Sequence, residues 1–169
     1  MHALAQFLEP WRTLFADSLI ISTTITTAHI LALLVGGGLA LSADRTTLRT
    51  LRISRGHWER EFQIREIKDL HRPVLIGLLC LAATGLLLAA SDVEVFFASP
   101  VFWIKMGLII LLLFNGSVLY RTERTLTGAL ESGEVPPARL WGRLRVTAWA
   151  SLTLWLLTAS AGAILAGSQ

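Results

Sequence analysis

Cysteine is nearly absent. Cys80 stands alone inside an apolar stretch, so no disulfide can close within the chain, and a disulfide scaffold is excluded. Methionine is as scarce: Met1 and Met106 are the only two, and no methionine-rich metal motif exists. Charge is thin as well. Charged residues make up 16% of the 169, against roughly a quarter in soluble domains. Hydrophobic residues make up 53% and mean hydropathy is +0.60, more apolar surface than a water-soluble fold of this size hides. A soluble enzyme and a nucleic-acid-binding domain are excluded on that ground. The pI near 9.8 reflects a net charge of only +3. No CxxC, HExxH, phosphate loop or paired-carboxylate motif occurs.

The apolar residues are gathered in four runs, at about residues 18–42, 73–91, 101–120 and 146–167. Each is long enough to cross a bilayer, and hydrocarbon leaves the backbone no partner but its own helix. The expected fold is all-α: a polytopic membrane protein, a four-transmembrane-helix bundle, with residues 1–169 forming a single membrane domain. Residues 1–14 place Leu4, Phe7, Leu8 and Trp11 at helical spacing and read as an interfacial arm. Arg12 is the only base near the start, so no cleavable signal peptide is expected.

Every Lys and Arg except Arg12 and Lys105 falls in the first or third connection, while the second carries Asp92 and Glu94 and no base. Basic loops stay in the cytoplasm, so both termini are expected outside, in a bacterial cytoplasmic (inner) membrane. Anionic lipids are the natural partners of the Arg-rich face. Trp58, Phe62, Ile64, Ile67 and Leu70 lie among charges and predict a helical extension of the second span, with Pro73 a first-turn proline or a kink. Ser132-Gly133-Glu134-Val135-Pro136-Pro137 reads as a turn.

Of the four histidines, His29 alone lies deep in a span. An ionisable residue inside a membrane is a functional candidate by default. Ser22, Thr26 and Gly36 fall on its helical face, Gly36 leaving room for a flat ring or for another helix. Hydrogen bonding to a neighbouring helix explains a lone histidine equally well. Two histidines on different helices would suggest a bis-histidine haem b. His29 and His71, however, differ in depth by about 12 Å at 1.5 Å per residue, which disfavours that pair. Asn115, Cys80 and Thr84 fall nearer the level of His29 and are expected to form a polar cluster with it. Lys105 is expected to snorkel to the interface, with an anionic headgroup or a quinone carbonyl as its functional alternative. Trp155 is deep and expected to pack or to line a cofactor.

Certain runs carry a resemblance. They are Thr27-Ala28-His29-Ile30-Leu31-Ala32-Leu33-Leu34-Val35-Gly36, Thr84-Gly85-Leu86-Leu87-Leu88, Ser91-Asp92, Ser99-Pro100-Val101-Phe102-Trp103-Ile104-Lys105-Met106, and Asn115. In order and spacing the chain resembles small bacterial four-helix integral membrane proteins of unassigned function, over roughly residues 15–120. More distantly it looks like CopD-type copper-resistance proteins and four-helix cytochrome b proteins. That resemblance implies a haem or metal ligand at His29. Three functions therefore compete: electron transfer with a haem b or quinone near His29, CopD-like metal transport or handling with His29, Met106 and Cys80 as ligands, or an accessory subunit packed in a larger membrane complex or homo-oligomer. The cofactor-binding candidates are His29, Ser22, Thr26, Gly36 and Asn115.

Overall fold

The structure, a computed structural model, describes residues 2–53 and 57–167, with side chains described at 6–52, 73–165 and 167. It is all-α. Helix α1 is His2–Asp17 and α2 is Leu19–Ala32; Ser18 caps α2, its hydroxyl accepting from the Ile21 amide at 3.4 Å. A π-helical turn, Leu33–Gly37, follows, and α3 runs on from it over Gly38–Ile53. Then come α4 (His57–Ser91), the short α5 (Val93–Ala98), α6 (Pro100–Glu131) and α7 (Ala138–Gly167). Pro100 opens α6 at its first turn, where the missing N–H costs nothing.

Four of these stretches are long and apolar enough to span a membrane: Leu19–Arg52, Pro73–Ser91, Pro100–Glu131 and Ala138–Leu165. The helices themselves are longer than the spans expected. With 35, 32 and 30 residues, α4, α6 and α7 measure about 45–52 Å, against roughly 30 Å of hydrocarbon. The first connection is mostly helix, and Pro73 lies well inside α4 rather than in its first turn. No glycine or proline interrupts residues 39–53, so nothing ends α3 where its sequence turns polar. The turn at Ser132–Pro137 is present. Gly133 takes φ +72°, and the Glu134 amide donates to the Ala129 carbonyl at 2.9 Å.

The helical extensions pack on one another at the Arg-rich end. Asp44, Thr47 and Thr50 on α3, Thr122, Glu123, Leu126 and Thr127 on α6, and Leu144, Thr147 and Ala148 on α7 are all buried there. Arg45, Arg49, Arg52, Arg121, Arg124, Arg139, Arg143 and Arg145 stand exposed around them. Helix α7 is the centre of the molecule, packing along α6 and against α3. A third of its most apolar window is buried, against at most 6% in the other three spans.

At the Arg-poor end α2 packs on α4, and α6 pairs with α7. The two pairs meet at a crossing halfway along. There a Cβ on Gly36 would lie 3.0 Å from Gly77 Cα, and one on Gly37 would lie 3.3 Å from the Trp155 ring. Only glycine allows backbones this close. Beyond the crossing, α2 contains no buried residue. Helix α1 is tied to α4 rather than merely lying on a surface: the Trp11 indole donates to the Leu87 carbonyl at 3.0 Å.

Candidate functional site

His29 is half-buried on α2 and turned toward α4. Its Nδ1 lies 2.9 Å from the Thr84 hydroxyl. That hydroxyl has one proton and donates it to the Cys80 carbonyl of its own helix at 2.6 Å. With its proton on the Cys80 carbonyl, Thr84 accepts from Nδ1–H of His29; the direction of the His29–Thr84 bond follows the imidazole tautomer. Nε2 takes no hydrogen bond among the described residues. The ring edge passes over Gly85, where an added Cβ would stand 3.3 Å from His29 Cε1. The partner of His29 is thus Thr84, one of the polar neighbours expected at its level.

Lys105 completes the layer from α6. It does not extend outward as expected. Its Nζ lies against Gly162 of α7, 3.4 Å from where a Cβ would stand there. The levels agree by counting. His29 is eight residues from Gly37 along α2, and Gly162 is seven from Trp155 along α7, both about 10–12 Å beyond the crossing. The first turn of α6 is held in place by an aromatic cluster. Phe97 stacks on Phe102 at 5.5 Å and meets Trp103 edge-on at 5.4 Å, and the Trp103 indole donates to the Phe97 carbonyl at 3.1 Å.

The other expected site residues scatter. Ser22 is half-buried and its hydroxyl bonds back to Ser18 and Leu19. Thr26 is exposed, because it sits about 60° round the helix from His29 at 100° per residue. Gly36 meets the α4 backbone, so the room expected beside it is taken by Gly77. Asn115 lies ten residues along α6 from Lys105, and its amide donates to the Thr147 carbonyl of α7 at 2.9 Å. Cys80 is exposed and enters the site only through its carbonyl. The side chain of His71 lies outside the described residues. Trp155 packs on Gly37 and belongs to the core with Ala40 and Leu112. Sequence reasoning missed Gly85 and Gly162 as site residues. Each is a lone glycine in a long apolar helix, a pattern that marks a close approach without saying to what.

Among the described residues no three His, Cys, Asp or Glu side chains gather as a metal site. No protein-family model, curated protein or solved structure matches the chain. The class rests on the fold alone: the protein is a multi-pass integral membrane protein with four spans.

Proposed function

We propose that the protein is an electron-transfer membrane protein that holds a redox ligand, a haem b or a quinone, on Nε2 of His29. The observation that carries this reading is the Thr84 bond. It holds the ring of a histidine inside the bilayer through Nδ1, and Nε2 takes no hydrogen bond among the described residues. A histidine that ligates or relays protons is oriented through its second nitrogen in this way. A haem would be held through Nε2 of His29 and would supply one-electron chemistry there. They fit a quinone through the same nitrogen, as acceptor of a quinol hydroxyl. CopD-like metal handling is not carried further, since no group of three His, Cys, Asp or Glu side chains gathers among the described residues. Thr26, Gly36 and Asn115 are not carried into this reading.

The membrane belongs to the same proposal: a bacterial inner membrane, with the exposed arginines of the helical extensions in the cytoplasm, against anionic lipid, and both termini outside.

The test is the visible spectrum of the purified protein together with extraction of bound quinone into organic solvent. We expect one of the two in the wild type and its loss in His29→Ala, with helicity and insertion unchanged. A wild type with neither a Soret band nor extractable or titratable quinone overturns the reading. Loss of His29→Ala from a larger complex, with no cofactor in either form, supports the accessory-subunit alternative instead.

A further inference from the structure

The Arg-rich end contains a cleft that the redox reading leaves unused. Its volume is about 220 Å³, and it is lined by Leu51 of α3 and by Trp141, Gly142 and Arg145 of α7. Helix geometry brings these residues together. Gly37 meets the Trp155 ring at the crossing, and Leu51 and Trp141 each lie fourteen residues from that contact, one along α3 and the other along α7. Both therefore stand about 21 Å toward the same end. A Cβ built on Gly142 would meet nothing within 4 Å, so no neighbour fills the notch that the missing side chain leaves. Gly142 and Arg145 are exposed, Leu51 and Trp141 half-buried, so the cleft opens outward.

The walls are of two kinds. Leu51 and the Trp141 ring supply apolar surface, and Arg145 supplies a planar guanidinium. Arg145 makes no hydrogen bond or ion pair among the described residues. Exposed Arg52 follows Leu51 directly on α3 and brings a second positive charge to that edge. Positive charge of this kind favours an anion, and a guanidinium takes phosphate oxygens two at a time. The volume is below the roughly 300 Å³ at which sites for whole small molecules begin, so it suits a headgroup rather than a complete cofactor. Depth selects the source of the phosphate. The fourth apolar run begins at residue 146, next to Arg145. From Arg145 to Trp141 is about 6 Å along α7, and the headgroup layer on each side of the hydrocarbon is about 5–8 Å thick. The cleft thus spans the layer in which lipid phosphates lie, and Trp141 stands where indoles concentrate.

We propose that this cleft binds the headgroup of one anionic phospholipid, its phosphodiester on Arg145 and its glycerol backbone against Leu51 and the Trp141 ring. This rests on the reading of the Arg-rich end as the face against anionic lipid, and gives that general attraction one defined site. Arg143 supplies the contrast. Two residues before Arg145, it stands about 160° round α7 from it, and it adds charge to this end without lining the cleft.

The experiment is calorimetric titration of the full-length protein in neutral detergent with dihexanoyl phosphatidylglycerol, with dihexanoyl phosphatidylcholine and with inorganic phosphate. Wild type should bind the phosphatidylglycerol saturably, roughly tenfold or more tightly than either of the others. Arg145→Gln should weaken that binding roughly ten- to a hundredfold, as expected for a charge-assisted contact, and Arg143→Gln only a few-fold. Gly142→Leu keeps every charge and fills the cleft, so it should weaken binding roughly tenfold or more while helicity and thermal stability hold. Equal losses in Arg145→Gln and Arg143→Gln, or unchanged affinity in Gly142→Leu, overturn the site and leave the general attraction of this face for anionic lipid standing. Inorganic phosphate bound as tightly as the lipid overturns the lipid as occupant. A wild type with no preference for phosphatidylglycerol over phosphatidylcholine overturns the site and the anionic-lipid reading together.

Discussion

At the residue scale the site turns on hydrogen-bond direction. The Thr84 hydroxyl reaches both the Cys80 carbonyl and Nδ1 of His29, which leaves Nε2 as the nitrogen without a hydrogen bond among the described residues. Thr84→Val keeps the shape and removes the acceptor, so the imidazole can rotate or change tautomer. Affinity for the redox ligand should fall about ten- to a hundredfold, the usual effect of losing such a partner, and Thr84→Ser should restore it. Binding that is unchanged in Thr84→Val would show that the ring is oriented by something else. Asn115 provides the contrast. Its bond to the Thr147 carbonyl joins α6 to α7 away from the histidine layer. Asn115→Leu should cost about 0.6–2 kcal/mol of stability, read as a lower midpoint of thermal unfolding in detergent, and leave ligand affinity alone.

At the element scale the molecule depends on where α2 meets α4. The π turn at Leu33–Gly37 adds a residue to one helical turn, and Gly36 and Gly37 both become buried there, one against α4 and the other against Trp155. A Cβ on Gly77 would stand 2.6 Å from Gly36 Cα, backbone against backbone, with no side chain to give way. Gly77→Leu should therefore destabilise the protein by about 1–3 kcal/mol or more and pull the histidine layer apart. Gly38, next along the chain, has nothing within 4 Å. Gly38→Ala should be neutral or gain up to about 1 kcal/mol from helix propensity alone. Thermal unfolding of the two variants side by side checks both; equal effects would mean that the crossing is not the constraint.

The whole molecule has two unlike ends. One is a polar-cored helical bundle ringed by exposed arginines, and the other packs α2 on α4 and α6 on α7 beyond a glycine crossing. Arginine is costly to carry across a bilayer, so the ringed end should remain in the cytoplasm. Alkaline phosphatase fused after Gln169 should then be active, and the same enzyme inserted at Gly133 should be silent. The reverse pattern would invert the orientation. Because the arginines stand outside a packed core, replacing Arg139 and Arg143 with glutamine should weaken binding to anionic vesicles by about 1 kcal/mol each, with little effect on stability.

The sequence by itself determined the four spans, the polar turn at Ser132–Pro137, the segregation of charge and the prominence of His29. These follow from local composition, since hydrocarbon permits only apolar helices and tolerates a buried imidazole only with a partner. Thr84 was within reach because depth can be counted along a straight helix. Tertiary structure alone decided the rest. Thr26 lay near enough to the His29 face in the count to be included, yet packing against α4 leaves it exposed. Gly36 seemed to offer space, and only the approach of Gly77 shows it filled. Lys105 has a side chain long enough to reach the surface or the interior, and nothing in its own helix chooses between them. The glycine on α7 chooses, because a flexible charged chain goes where a neighbouring helix leaves it room.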